Sequence, residues 1–271
     1  MSRIDDYILG TDEAEAKRLE FQHRTWLAHA QSAWQRASIS PGDTVLDLGC
    51  GPGFTTFELA RVVTAAGKVV ARDLSQRFLD AIDRRCAGEG ITHVETSCGP
   101  AEELELAEHS LDAAYARWLF CWLEDPRSAL SRVTHALKPG GRFVIQDYID
   151  WGTMSLLPPS SAFDRAVKGC MDSFAAAGGD IDVGKRLPAL AREIGLEVVH
   201  VEPIARIGAV GSDEWRWIGA FLRDYVPKIV GEGRLSETDA REFAGEWQRR
   251  TESSDGHLVA PTMLDLILRK P

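Results

Sequence analysis

The sequence predicts an α/β protein: a doubly wound, mostly parallel sheet with an inserted helical cap. Three observations predict it. Strand-like and helix-like segments alternate from Thr44 to Tyr148, a glycine cluster sits where the first strand meets its helix, and after Asp150 the alternation gives way to helices.

The elements follow in order. From Glu13 to Ala37 there is no Gly or Pro, and Leu19, Trp26, Ala30 and Ala33 recur at three- and four-residue steps, which is one apolar face of a helix. Ser40-Pro41-Gly42-Asp43 ends it. Short apolar runs at Thr44–Leu48, Lys68–Ala71, Thr92–Thr96, Leu111–Ala116 and Arg142–Tyr148 read as strands buried on both faces. Between them Phe54–Thr64, Gln76–Ala87 and Pro126–Leu137 read as helices, and Lys138-Pro139-Gly140-Gly141 as a turn. Beyond Leu157-Pro158-Pro159-Ser160, helices are expected at Ala162–Ala177, Arg186–Ile194, Asp213–Val230 and Ser236–Arg250, with strands at Leu196–Ile204 and Met263–Leu268.

Composition narrows the function classes. The 271 residues are 44% hydrophobic and 27% charged, ordinary for a globular chain. A formal net charge of -10 argues against nucleic acid and anionic membrane partners, which are bound mainly by cations. The five cysteines include no C-x-x-C pair, so neither a disulfide framework nor a zinc site is expected. The charged start MSRIDDYILG lacks an apolar signal region and no run suits a membrane span, so a cytoplasmic location is expected. Oligomeric state is not readable.

The chemistry concentrates in Asp47-Leu48-Gly49-Cys50-Gly51-Pro52-Gly53-Phe54. Glycines at a strand-to-helix junction let a ligand approach the backbone, and the helix start offers N–H groups to an anionic group. Dinucleotide folds use such a loop with a third glycine where this chain has Phe54. Asp47, two residues before Gly49, disfavours a pyrophosphate and suits a ligand with an ammonium group. Asp73, 22 residues after Gly51, is placed to accept ribose hydroxyls. The pattern indicates a nucleoside cofactor without a pyrophosphate.

Val45–Phe54 resembles the first motif of class I S-adenosylmethionine-dependent methyltransferases of small-molecule type. Ala71–Ser75, Gly99–Leu104, Leu111–Arg117 and Leu137–Arg142 resemble that family's later motifs in order and spacing, and Tyr7–Gly10 with Gln22 resembles its N-terminal segment. The resemblance implies a Rossmann-like, seven-stranded sheet whose last strand is antiparallel. It divides the chain into a helical cap segment (1–40), a cofactor-binding core (41–150) and a remainder carrying substrate-cap helices (151–271). It implies that Gly49, Gly51 and Gly53 approach the methionine part of S-adenosylmethionine and that Asp47 meets its ammonium group. Asp73 would bind the ribose, Leu74 would pack on the adenine, and Ala101 and Glu102 would contact the adenine edge. Arg117 would offer its carbonyl to the ammonium group, and Gln22 would close over the cofactor. Two positions depart from the family pattern: Pro100 stands where an Asp is common, and Arg72 where a small apolar residue is usual.

The expected activity is methyl transfer from S-adenosylmethionine to an O, N or C nucleophile of a small molecule by in-line displacement, with no metal. A nicotinamide-dependent oxidoreductase and a non-catalytic S-adenosylmethionine-binding protein stay open as alternatives. His23 and Tyr148 are the candidates for a catalytic base, with Asp147 and Asp150 nearby in sequence. Tyr7, Trp118, Trp122 and Trp151 are candidates for the substrate pocket, and Trp215 and Trp217 are further aromatic candidates.

Overall fold

A computed structural model describes residues 13–271, with side chains from residue 15 onward; the Tyr7 expectation falls outside the described residues. The chain divides into two compact units. The first comprises the residues up to Asp147 together with Arg186–Glu202 and Asp265–Pro271; the second comprises Tyr148–Lys185 and Pro203–Leu264.

The first unit is built on a seven-stranded sheet. Its strands are β1 (Thr44–Leu48), β2 (Lys68–Asp73), β3 (Val94–Cys98), β4 (Leu111–Arg117), β5 (Leu137–Asp150), β7 (Glu197–Ile204) and β10 (Thr262–Arg269), in the order β3-β2-β1-β4-β5-β10-β7. β1 lies between β2 and β4 and runs parallel to both, and the sheet is mostly parallel with its last strand antiparallel, as expected. Val45, Leu46 and Leu48 of β1, Val69 and Ala71 of β2 and Ala114, Tyr115 and Ala116 of β4 are all buried. That is the signature of strands covered on both faces, and it explains their continuous apolar runs.

Helices α1 (Glu13–Arg36), α2 (Phe54–Val63), α3 (Gln76–Glu89), α4 (Pro126–Ala136) and α6 (Leu187–Glu193) belong to this unit. α1 buries the face the sequence predicts: Ala30, Ala33 and Trp34 pack in one cluster with Val45, Leu59 and Tyr115. α3 starts at Ser75, whose hydroxyl accepts from the Phe78 N–H, and ends at Gly90 in the left-handed region. α4 is capped by Asp125 and carries Pro126 in its first turn.

One difference from the sequence reading has a clear cause. The turn expected at Lys138–Gly141 is absorbed into β5, because the Gly140 N–H donates to the Lys270 carbonyl and the Lys270 N–H donates to Gly141. A pairing partner over a hundred residues away overrides the local turn signal.

The second unit holds α5 (Ser161–Ala176), α7 (Asp213–Gly231) and α8 (Glu237–Ser253). Each begins at a serine whose hydroxyl accepts from the third N–H: Ser160, Ser212 and Ser236. The unit also holds a three-stranded antiparallel sheet of β6 (Ser155–Leu157), β9 (His257–Val259) and β8 (Ile207–Ala209), in that order. Strands of three residues are too short to show a periodicity, so the sequence gives no sign of them. Trp215 stacks on Trp247 at 4.0 Å, and Phe163 stacks on Trp247 at 6.1 Å. Trp215 and Trp217 are both buried in this interior.

Candidate active site

The glycine bend lies between β1 and α2, at the carboxyl end of the parallel strands, where open α/β sheets bind ligands. Gly49, Gly51 and Gly53 have φ of 73°, 52° and 86°. The left-handed region suits glycine because other residues lose roughly 1–2 kcal/mol there. The three glycines differ in what surrounds them. A Cβ on Gly53 would meet Ile82 at 2.5 Å, and one on Gly49 would meet Leu119 at 3.0 Å. A Cβ on Gly51 would meet nothing within 4 Å. Gly53 and Gly49 are thus glycine for packing, while Gly51 borders open space that a ligand can approach.

The bend is anchored to the end of β2. The N–H groups of Gly49 and Cys50 both donate to the Arg72 carbonyl, at 2.8 and 3.0 Å. The Asp73 carboxylate accepts from the Gly51 N–H at 2.8 Å and from the Ser75 N–H at 2.8 Å. Burial raises the Asp73 pKa, opposed by the backbone N–H groups aimed at it. Each of its oxygens keeps a lone pair beyond those bonds, enough for a pair of hydroxyls. Leu74 beside it is 46% exposed, a large apolar side chain at the surface next to an acid.

Arg72, the first departure from the family pattern, has its own task. Its guanidinium donates to the Ser97 hydroxyl at 2.6 Å and to the Pro100 carbonyl at 3.2 Å, tying the end of β2 to the segment after β3. Gly99 lies under it, where a Cβ would come within 2.5 Å of Nη2. Pro100, the second departure, contributes its carbonyl to this clamp. Ala101 is buried in the short turn that follows, and Glu102 is half-buried with its carbonyl accepting from Ser128.

Asp47 is buried at 2% exposure and accepts from the Thr56 hydroxyl at 2.7 Å. Burial pushes its carboxyl up to about 7; the Thr56 hydrogen bond and the Arg117 charge pull the other way, and Asp73 adds to the rise. Arg117 ends β4, one residue beyond the Leu48–Ala116 pairing that aligns β4 with β1. Its Nη2 donates to His23 Nδ1 at 3.1 Å and to the Thr55 hydroxyl at 3.4 Å. Its guanidinium also lies 4.8 Å over the Trp118 ring.

His23 is buried on α1 beside Phe54, with ring centroids 5.9 Å apart. Burial first, and the Arg117 charge second, lower its pKa to about 3. Accepting from Arg117 requires a bare Nδ1, so His23 is a neutral imidazole with its proton on Nε2. The Nδ1 lone pair of His23 is thus engaged by Arg117. Gln22, its neighbour, is buried and accepts from Arg18 at 3.0 Å.

Trp118 and Trp122 flank the short turn after β4. Trp118 has φ of 50°, rare for a bulky residue, and packs edge-on against Trp26 at 5.7 Å. Trp122 is half-buried in that turn. The buried Asp147 carboxylate accepts from the N–H groups of Phe120 and Cys121, so it fixes the same turn instead of standing free as a base. Tyr148 and Trp151 belong to the second unit, where their rings meet edge-on at 5.5 Å. Trp151 is only 2% exposed and also packs on Phe174 and Phe221, so it is an interior residue of that unit. Asp150 caps the following turn through the Gly152 N–H.

Sequence reasoning missed Thr55 and Thr56, whose hydroxyls bracket the buried acid and the guanidinium. Their place in the first turn of α2, right after the glycines, was the available signal. Among the described residues no group of His, Cys, Asp and Glu is arranged to hold a metal ion, and no helix is long and apolar enough to cross a membrane.

Known proteins bear on this arrangement directly. Residues 46–145 match the family profile described as a methyltransferase domain. An uncharacterized 37.1 kDa protein of transposon TN4556 from Streptomyces fradiae is 33% identical over 167 residues, 62% of this chain and 47% of its own length. A 2-phytyl-1,4-naphtoquinone methyltransferase of Synechococcus elongatus is 36% identical over 126 residues, 46% of this chain and 53% of its own length. The chain spans about half the length of these relatives. In fold it resembles phosphoethanolamine N-methyltransferase 2 of Haemonchus contortus, solved with S-adenosyl-L-methionine, with a TM-score of 0.63 and 18% identity over all of this chain and 60% of that one. The profile and the named relatives favour methyl transfer over the nicotinamide alternative.

Proposed function

We propose, from a chain that carries a class I S-adenosylmethionine-dependent methyltransferase domain, that the protein transfers the methyl group of S-adenosylmethionine to a small-molecule acceptor. The observation that carries this reading is Gly51. Its Cβ position faces open space between two packed glycines, while Asp73 grips its N–H from the end of β2.

When bound, the cofactor supplies a methyl group activated on a sulfonium, which an O, N or C nucleophile of the acceptor takes by in-line displacement. The residues of the chain bind and orient. The bend Gly49–Gly53 receives the methionine part, with Asp47 as the partner of its ammonium group. Asp73 accepts the ribose hydroxyls and Leu74 covers the adenine, whose edge meets Ala101 and Glu102. The Arg117 carbonyl and Gln22 complete the enclosure. Alignment of this kind supplies on the order of 7–11 kcal/mol of barrier reduction, so the reaction needs no strong general base. This agrees with an arrangement that holds His23 neutral and Asp147 in backbone hydrogen bonds. Trp118 and Trp122 are assigned to the acceptor, and Tyr148 is the remaining candidate to handle its proton.

Calorimetry with S-adenosylhomocysteine and with NAD tests the reading. Binding and thermal stabilisation by S-adenosylhomocysteine alone are expected, with about 2.7 kcal/mol of stabilisation at a hundredfold excess over Kd. Stabilisation by NAD alone overturns the proposal. Transfer of isotope-labelled methyl to a panel of small acceptors then separates an enzyme from a protein that only binds the cofactor.

A further inference from the structure

Arg117 carries a polar atom that the architecture described so far does not use. Its Nη2 is engaged by His23 and Thr55. Its Nη1 is buried, and no described residue accepts a hydrogen bond from it. The Tyr115 hydroxyl on the same strand donates to Gln146 at 2.8 Å and interacts with the Arg117 side chain, but it does not meet Nη1 in hydrogen-bond geometry. A buried charged donor left without an acceptor carries a desolvation penalty; Arg142 Nη1 and Arg250 Nη1 share that state, and what sets Arg117 apart is its contact with Thr55 beside the glycine bend.

The surroundings say what that partner is. The guanidinium is within electrostatic reach of the buried Asp47 carboxylate and touches Thr55 in the first turn of α2. α2 begins at Gly53 with no side-chain cap, so its first N–H groups are open toward the same corner. One buried acid and one half-buried base, both at the glycine bend, complement a ligand with a positive and a negative group on neighbouring atoms. The ammonium suits Asp47. An anion suits the fork of Arg117, which is shaped for a carboxylate.

We propose that the Arg117 side chain receives the carboxylate of the cofactor's methionine moiety through Nη1, with Nη2 held in place by His23 and Thr55. This assignment rests on the functional reading above and adds to it. Arg117 then contributes through its side chain as well as its backbone carbonyl. His23 becomes a positioning residue that fixes the fork.

Calorimetry with two ligands tests it: S-adenosylhomocysteine, and its decarboxylated analogue, which keeps the amine and lacks only the carboxylate. The unmutated protein should bind S-adenosylhomocysteine at least about tenfold more tightly than the analogue, as a hydrogen bond to a charged group implies. Arg117→Met should weaken S-adenosylhomocysteine at least about tenfold more than the analogue, so that the preference between the two ligands disappears. Arg117→Lys, a point charge without the fork, should restore part of the preference, and it keeps the test open if the methionine variant fails to fold. A preference for S-adenosylhomocysteine that survives undiminished in both variants overturns the assignment and leaves Arg117 a purely structural ion. If the unmutated protein binds neither ligand, the functional reading falls, and the assignment falls with it.

Discussion

The glycine corner of the first unit and the aromatic interior of the second are built on opposite terms. The corner concentrates costs: three left-handed glycines, a left-handed tryptophan at 118, and an acid raised to about 7 by burial. The interior of the second unit concentrates gains. Trp151, Phe174, Phe221 and Tyr225 meet ring to ring at 5.0–5.9 Å, and the Tyr225 hydroxyl lies 3.0 Å from that of Ser173. Backbone strain and a buried acid are features a ligand site can repay, and ring packing dominates where stability alone is at stake.

The largest effect that tests this contrast is Trp151→Ala. Removing a buried tryptophan should cost roughly 3–5 kcal/mol, read from urea unfolding, with the S-adenosylhomocysteine affinity of the folded protein unchanged. A tenfold loss of affinity without a loss of stability would break the contrast and return Trp151 to the pocket. Within the corner, two glycines should part company. Gly53→Ala should cost roughly 2–4 kcal/mol, because the left-handed penalty adds to the overlap with Ile82. Gly51→Ala should cost only about 1–2 kcal/mol, since nothing lies within 4 Å, yet weaken S-adenosylhomocysteine binding by tenfold or more. Two variants with matching losses in both measurements would remove the distinction between a packing glycine and a ligand-facing one.

The same contrast governs what the sequence reveals. The strands and helices of the first unit are legible because burial on both faces writes continuous apolar runs and caps write Ser75 and Asp125. The bend and Asp73 are legible because a close backbone approach admits few residue types. The pairing of Arg117 with His23, 94 residues apart, is invisible in one dimension, since neither residue type nor spacing marks it. Trp151 misleads for a related reason: an aromatic side chain after a strand end looks the same whether it lines a pocket or fills a core. The three-residue strands β6, β8 and β9 leave no periodic trace, and only their pairing defines them.

Asp47 offers a sharper probe through pH. Its carboxyl is raised to about 7 in the ligand-free fold, so it is mostly protonated below that pH and cannot pair with an ammonium group. S-adenosylhomocysteine affinity should fall by up to about tenfold per unit as pH drops from 7, and binding at pH 6 should release a proton from Asp47, visible as a buffer-dependent heat. The fold itself shows the opposite sign. With the folded pKa above the unfolded value of 3.8, the native state holds more protons than the unfolded chain between 3.8 and about 7, so this group's contribution to stability is lost as pH rises through that window. Asp73, raised by the same cause, acts in the same direction. Asp47→Asn should flatten the affinity profile, weaken binding at pH 8, and raise the ligand-free unfolding free energy above pH 7. An affinity profile that stays sloped in Asp47→Asn would assign the titration to another group.

The smallest effect belongs to His23, and its smallness is the point. A general base contributes about a hundredfold to ten-thousandfold in rate, and its pKa marks the pH profile. His23 instead accepts from Arg117 at Nδ1 and is lowered to about 3, so it has neither a free basic nitrogen on that side nor affinity for a proton near neutrality. His23→Asn keeps a carbonyl that can accept from the guanidinium. With an acceptor found by labelled-methyl screening, this variant should change kcat by less than about threefold and leave the kcat/KM profile unshifted between pH 6 and 8. Its trace should appear in stability. A histidine whose folded pKa lies below the unfolded 6.5 costs the fold as pH falls from 6.5 toward 3, because only the unfolded chain takes up the proton. The unfolding free energy of His23→Asn should therefore decline less steeply over that range than that of the unmutated protein. A hundredfold drop in rate with an unaltered acid limb would move His23 from holding the arginine to the methyl-transfer chemistry itself.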